Sequence, residues 1–289
     1  MRLLLIVAGF AKAASAANEP DCDRQCLTEI ADQYYQALAM QDPENLPFSP
    51  DVKYSENGSL VAIGEGHWNR SSGEETFRLQ IFDPETGGIG TYAVFPTDEG
   101  LALMTLRLKV QAHLITEVES VVVYPNTGAT HYAPENLTEP SYFWTWSIRA
   151  TEQDNRHELI AAAESYFRAF ETEGTPEYVR SDALLPDTMR VEMGVQTTTA
   201  GDRLPTRDDG RLYVTPTLQF DNAEFEGAEI NNRRYPVVDT QTGGVLAMVR
   251  FGGATGRAVV GEFFAVTGGK IREIQAVFVV PEEPTTPVW

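Results

Sequence analysis

One carboxylate stands where a core residue belongs. Ala258, Val260, Glu262, Phe264 and Val266 alternate along a segment whose earlier copy reads Ala102, Met104, Leu106, Leu108 and Val110. Both segments belong to a stretch that the chain contains twice. Arg78 to Pro125 meets Arg234 to Pro281 without a gap, at a constant offset of 156 positions. Period-two alternation puts each set of five on one strand face. Glu262 therefore faces a core in which its twin is leucine. Burial without a partner is costly and raises a carboxyl toward a neutral, proton-donating acid. The alternatives are a buried ion pair with Arg250 or Arg234, or a face that opens to solvent.

Five further residues have types suited to proton chemistry. Tyr34 and Tyr166 fall on the apolar faces of two helical patterns, so each hydroxyl needs a partner. Glu56 and Glu192 match at an offset of 136, within Glu56-Asn-Gly58 and Glu192-Met-Gly194. Glu56 shares its face with Val52 and Tyr54, which is pocket-like. Alternation groups Glu192 with Thr188 and Arg190, opposite Met189, Val191 and Met193, and so favours a solvated Glu192–Arg190 pair over a base. His67, between Gly66 and Trp68, is an acid–base candidate, with a surface turn as the favoured alternative. Arg78 with Asp83 and Arg234 with Asp239 recur in both copies, and recurrence points to structural salt bridges. His113, His131 and His157 are isolated. No Ser-His-Asp order, glycine-rich phosphate loop or HExxH occurs.

The elements that must position these residues read as helix first, then strands. Leu27, Ile30, Ala31, Tyr34 and Leu38 predict a helix over Cys22 to Met40, stopped by Asp42-Pro43. A strand at Val52 to Glu56, a turn at Asn57-Gly58 and a turn or short helix over Gly64 to Ser72 follow. Four strands come next, at Phe77–Asp83, Gly88–Phe95, Leu101–Gln111 and Leu114–Val123. In the second copy, a helix over Arg156 to Glu173 precedes a strand at Met189 to Met193. The step in offset from 136 to 156 marks an insertion, assigned to Gly201–Gly210. The expected organisation is α+β. Two tandem cone-shaped domains, 22–125 and 155–281, each pack helices on a curled antiparallel sheet. Residues 126–154, with Tyr142, Phe143, Trp144 and Trp146, read as an ordered aromatic linker, and 282–289 as a tail folding back over a domain.

A formal net charge of -20 argues against nucleic acid and anionic membrane as partners. Arg2, the apolar run Leu3–Phe10 and Ala14-Ser15-Ala16 predict a signal peptide over 1–17, too short to span a bilayer, and hence secretion. Cys22 and Cys26 are then expected to pair, and a metal site there would need further ligands. Sequons at Asn57, Asn69 and Asn136 fit a secreted glycoprotein.

Gln33-Tyr34-Tyr35-Gln36-Ala37-Leu38, Asp42-Pro43, the strand ending Glu56-Asn-Gly58 and the four-strand meander resemble the nuclear-transport-factor-2-like, or SnoaL-like, fold. The Cys22-to-Leu27 opening, Gly64-Glu-Gly-His-Trp68 and Arg234-Tyr-Pro-Val-Val-Asp239 resemble a family of uncharacterised tandem domains from fungi and bacteria. The fold hosts isomerases, dehydratases, cyclases and non-catalytic binders, so it does not settle function. Resemblance to ketosteroid isomerase implies a helix tyrosine and a sheet acid as oxyanion hole, with a second carboxylate as base. Tyr166, Glu262 and Glu192 fill these positions in the second domain. Tyr34 and Glu56 fill two in the first, where Leu106 replaces the acid. His67 would serve a dehydratase-like site. The implied function is a secreted, cofactor-free lyase, isomerase or cyclase acting on a small apolar molecule. The alternative is a non-catalytic binding or interaction module. Sheets of this fold pair, so an internal pseudo-dimer of the two domains is expected.

Overall fold

The computed structural model describes residues 21–125, 132–173, 175–198, 229–252, 258–283 and 285–289. The expected leader at 1–17, the assigned insertion at 201–210 and His131 lie outside the described residues.

Helix α1 (Arg24–Met40) starts where the Asp23 side chain accepts from the Cys26 N–H at 2.9 Å. It ends at Gln41, which is left-handed at φ 55°, just before Pro43. Cys22 and Cys26 are disulfide-bonded at its first turn. Six strands follow: β1 (Phe48–Glu56), β2 (Ser59–Leu60), β3 (Phe77–Asp83), β4 (Gly88–Thr97), β5 (Gly100–Gln111) and β6 (Leu114–Val123). A short helix α2 (Tyr142–Thr145) lies in the connection. Helix α3 (Arg156–Thr172) opens on a capping box between Asn155 and Glu158. The second strand set is β7 (Leu184–Glu192), β8 (Val195–Gln196), β9 (Glu229–Asp239), β10 (Gly244–Gly252), β11 (Ala258–Thr267) and β12 (Lys270–Val279). No helix among the described residues is long and apolar enough to cross a membrane.

The two sheets share one strand order, β2-β1-β6-β5-β4-β3 and β8-β7-β12-β11-β10-β9. The expected antiparallel sheets are in fact mixed, because β1 runs parallel to β6 and β7 parallel to β12. After the β1–β2 hairpin the chain crosses to the far edge. The four-strand meander then walks back and arrives beside β1 in the same direction.

Each sheet has two buried faces. One packs against its own helix: Leu27, Ala31, Tyr34 and Leu38 of α1 meet Met104, Leu106 and Leu108 of β5. Leu159, Ala163 and Phe167 of α3 meet Val260, Phe264 and Val266 of β11 in the same way. The opposite faces form a shared cluster that includes Leu79, Ile81, Tyr92, Leu103, Val191, Leu246 and Phe263. The sheets approach so closely that a Cβ on Gly261 would lie 2.4 Å from Thr105 Cγ2, and one on Gly244 2.4 Å from Ile81 Cγ2. Glycine is required at both points.

Reciprocal ion pairs pin this contact. Arg24, at the start of α1, bonds Asp239 at the end of β9, and Arg156, at the start of α3, bonds Asp83 at the end of β3. Asp239 also accepts the Phe82 N–H at 3.1 Å, and Asp83 the Val238 N–H at 3.1 Å. The expected pairing of Arg78 with Asp83 and Arg234 with Asp239 does not form. Five steps along an extended strand separate the members of each pair by about 17 Å. Arg78 instead bonds Asp32 at 2.9 Å, and Arg234 bonds Glu119 at 2.6 Å.

Two arms cross over as well. Ala133 N–H donates to Met193 O at 3.0 Å, and Trp144 Nε1 to Glu273 Oε1 at 2.7 Å, so the connection lies on the second sheet. The 285–289 tail lies on the first, where Trp289 Nε1 donates to Ser55 Oγ at 2.8 Å and Lys53 sits 4.1 Å from the indole centroid. Two of the sequon amides are occupied: Asn57 Nδ2 donates to Val122 O at 3.1 Å, and Asn136 Nδ2 to Gly194 O at 3.1 Å.

Asp83→Ala should lower unfolding stability by about 2–4 kcal/mol in urea titration, since it strands Arg156 and the buried Val238 N–H. Arg78→Ala should cost less than about 1 kcal/mol, because its pairs are partly solvated. Equal losses would refute the exchange between halves.

Candidate active site

Register brings the second domain's carboxylates onto one face. Glu192 on β7 is opposite Ala276 on β12, which is opposite Glu262 on β11. Laterally aligned residues point the same way, here toward α3. Tyr166 comes down from that helix and meets Phe167, Phe170 and Phe264 edge-on, with ring centroids 5.5, 4.9 and 5.4 Å away. Arg190, two residues before Glu192, reaches the same point. Its Nε donates to the Tyr166 hydroxyl at 2.7 Å, and its Nη1 pairs with Glu192 Oε1. The Tyr166 hydroxyl also acts on the Glu262 carboxyl, favouring its ionised form.

Glu262 is 4% exposed, and among the described residues its Oε1 has no hydrogen-bond partner. Burial pushes its carboxyl up to about 7, against the opposing pull of Arg190 and the Tyr166 hydroxyl. Burial also raises the Tyr166 hydroxyl. The arrangement is a carboxyl balanced between its two protonation states, a hydroxyl already accepting from a cation, and a wall of aromatic rings.

Two expectations need correction. Neither Arg250 nor Arg234 is the cation beside Glu262. Ala247 is the residue opposite Glu262 on β10, so Arg250, three positions on, faces the other way. Arg234 pairs with Met248, which packs in the inter-sheet cluster. The Glu192–Arg190 pair does form, but it is buried rather than solvated, with the two residues 8% and 7% exposed. Met189, Val191 and Met193 pack between the sheets, which leaves the polar set to face the helix. Arg190 is the site residue that sequence reasoning passed over. The signal was available: Arg190 occupies the position of Tyr54 at the offset that aligns Glu192 with Glu56. The cation and Glu262 thus enter the second copy together.

The structure also unites Tyr34, Glu56 and His67 in the first domain. Tyr54 hydroxyl donates to Glu56 Oε2 at 2.7 Å, and the His67 N–H donates to the same oxygen at 3.0 Å. His67 Nδ1 is 3.1 Å from the Tyr124 hydroxyl, and Tyr34 meets Trp68 edge-on at 5.2 Å. His67 is 1% exposed, so the surface-turn reading fails. The Glu56 carboxylate holds the turn inward. Gly66 permits this at φ +67°, where a Cβ would come within 2.8 Å of Glu56 Oε2. Burial raises Glu56, and burial together with Arg70 lowers His67 to about 4. This cluster is closed on itself: Glu56 is spent on holding backbone and Tyr54, and Leu106 stands in its row through Ser120.

His113 lies closer to the cysteines than their sequence context suggests, with Nδ1 3.3 Å from Cys26 Sγ. The disulfide occupies both sulfurs.

Stability should report both buried titrations. The folded state keeps the Glu262 proton up to about pH 7, whereas the unfolded chain releases it near its ordinary value. The folded state thus binds more protons in this window, and stability falls as pH rises through it. Relative to Glu262→Gln, the native protein should lose on the order of 3 kcal/mol between about pH 4.5 and 7. His67 behaves oppositely. Its folded value is depressed, so stability present above about 6.5 is lost as pH falls toward 4, and His67→Gln should flatten that limb. Parallel urea midpoints for variant and native protein across either window would contradict the assigned burial.

The sequence model of a family described as "Domain of unknown function (DUF8021)" matches residues 152–278, less than half of the chain. No curated protein matches. Solved structures are similar to parts of the chain. A protein of unknown function with a cystatin-like fold from Methylobium petroleophilum PM1 shares 13% identity at a TM-score of 0.32, covering 37% of this chain and 82% of that one. A de novo designed protein with a curved β-sheet shares 13% at 0.31, covering 37% and 91%. A ketosteroid isomerase-like protein from Kribbella flavida DSM 17836 shares 12% at 0.30, covering 36% and 82%.

Proposed function

We propose that the second domain carries an acid–base site for a small, largely apolar molecule, and that the chain is an exported, cofactor-free lyase, isomerase or cyclase of the nuclear-transport-factor-2-like, SnoaL-like type. The observation that carries this reading is the Arg190–Tyr166–Glu262 chain of contacts on a face that is otherwise aliphatic and aromatic. Glu262 takes a proton from carbon next to a carbonyl and returns it elsewhere, which is isomerisation, or a leaving group departs, which is elimination. The Tyr166 hydroxyl, polarised by Arg190, donates to the oxygen that becomes negative. Glu192 holds Arg190 in place and does not act as the base. The first domain is the scaffold copy, its equivalent groups consumed by the Glu56–His67 contact. In this reading 22–125 and 155–281 form an internal pseudo-dimer joined through their back faces. The predicted leader and the Cys22–Cys26 disulfide support export.

A second reading, a non-catalytic binding module, is favoured by the packing of Phe167, Phe170 and Phe264 around Tyr166. Fluorophenols of graded acidity discriminate, because each presents a ring and an oxyanion. Fluorine NMR should show saturable binding that strengthens as the phenol becomes more acidic. Tyr166→Phe should weaken it about tenfold to a hundredfold, the loss of a hydrogen bond to a charged partner, and Glu262→Gln, which removes the negative charge of the base beside the oxyanion, should strengthen it. Binding untouched by both substitutions, or no binding to the native protein, would remove the acid–base assignment.

A further inference from the structure

On the opposite side of the second sheet, between β12, β7 and the connection that bears α2, lies a cavity of about 610 Å³. This size accommodates a small organic molecule. Its wall carries Glu273, Gln275, Glu139, Ser141, Trp144 and Tyr142, and among the described residues no Lys or Arg lines it. It belongs to neither proton-transfer cluster, so what it binds is independent of the proposed activity.

The duplication shows what this wall lacks. Glu273 corresponds to Glu117 at the offset of 156. Glu117 is paired with Arg107 across the strands. The residue equivalent to Arg107 is Phe263, so the second copy keeps the carboxylate and replaces its cation with a ring. Glu273 is 1% exposed and accepts from Ser141 Oγ, Trp144 Nε1 and Gln275 Nε2, yet among the described residues no cationic side chain bonds it. A buried carboxylate held by neutral donors retains an uncompensated negative field. A second observation agrees. Gln275 is 4% exposed, and donation from its Nε2 to Glu273 fixes which way the amide faces. Among the described residues its Oε1 is left as a buried acceptor without a donor. Both groups call for N–H bearing positive charge. Tyr142, 51% exposed and 4.1 Å by centroid from Phe143, adds an aromatic face of the kind that attracts ammonium.

We propose that the cavity between α2 and β12 binds a primary organic ammonium, a small aliphatic amine or diamine, with the Glu273 carboxylate as counter-charge and Gln275 Oε1 and the α2 aromatics as selective contacts. A primary ammonium supplies three N–H donors, whereas a quaternary ammonium has the same charge and none.

Putrescine and choline therefore form the test pair, with mannitol as a neutral hydroxyl-rich control, titrated against the full chain by calorimetry. Putrescine should bind, choline at least about tenfold more weakly, and mannitol not measurably, the difference reflecting hydrogen bonds to charged groups. Gln275→Leu and Tyr142→Ala should each weaken putrescine about tenfold or more while leaving the melting temperature within a few degrees of native. Glu139→Gln should weaken it less, because Glu139 is exposed at the rim. Choline binding as tightly as putrescine, mannitol competing with it, putrescine failing to bind, or native affinity in both the Gln275 and Tyr142 variants would each overturn the proposal. Fluorophenol binding should remain native in these variants, which keeps this site's fate separate from that of the site beneath α3.

Discussion

The buried aspartates Asp83 and Asp239 set the frame for everything else. Each ends a strand in one half and is answered by an arginine at the start of the other half's helix. Each also takes a backbone N–H from the opposite β3 or β9 strand. A buried carboxylate stays in place only while its partners do. Helix start, strand end and sheet contact are thereby fixed at one point, twice. With the back faces held, the two helix-facing surfaces are forced apart and outward, and each must close on its own helix.

Within that frame the two copies have diverged where chemistry would sit. The first has Tyr54, Leu106, Glu56 and His67, a combination in which the carboxylate is satisfied by a hydroxyl and a backbone N–H. The second has Arg190, Glu262 and Glu192, in which one cation faces two carboxylates. Because Arg190 bonds Glu192 directly, Glu262 receives only part of its compensation, and burial dominates. The result is one acid whose proton is mobile beside one that is bound to a cation. The same logic operates on the other side of the sheet, where Arg107 becomes Phe263 and Glu273 has no cation bonded to it among the described residues.

Much of this was legible from the chain itself. The gapless offset locates the strands of both meanders, although β9 starts earlier than the copy of β3, and alternation places Glu262 on a core-facing strand face. Three things were not. Parallel β1–β6 and β7–β12 pairing depends on where the meander finishes, which local periodicity does not encode. The Arg24–Asp239 and Arg156–Asp83 pairs join residues far apart in the sequence, and a strand reading sees only neighbours in its own copy. Arg190 lies well before the gapless block, where the offset is 136 and not 156, so its exchange with Tyr54 shows only through the Glu56–Glu192 match. His67 was misjudged because its burial comes from Glu56 pulling a glycine turn inward, a contact between segments that share no periodicity.

The crossed arms have a consequence for biosynthesis. The first sheet carries Ser55 and Lys53 on a surface that residues 285–289 cover. A nascent chain emerging from the ribosome therefore holds a half-finished first domain, with that surface bare, throughout synthesis of the second. Its completion is postponed to the moment when Trp289 becomes free to turn back, so the earlier half matures last.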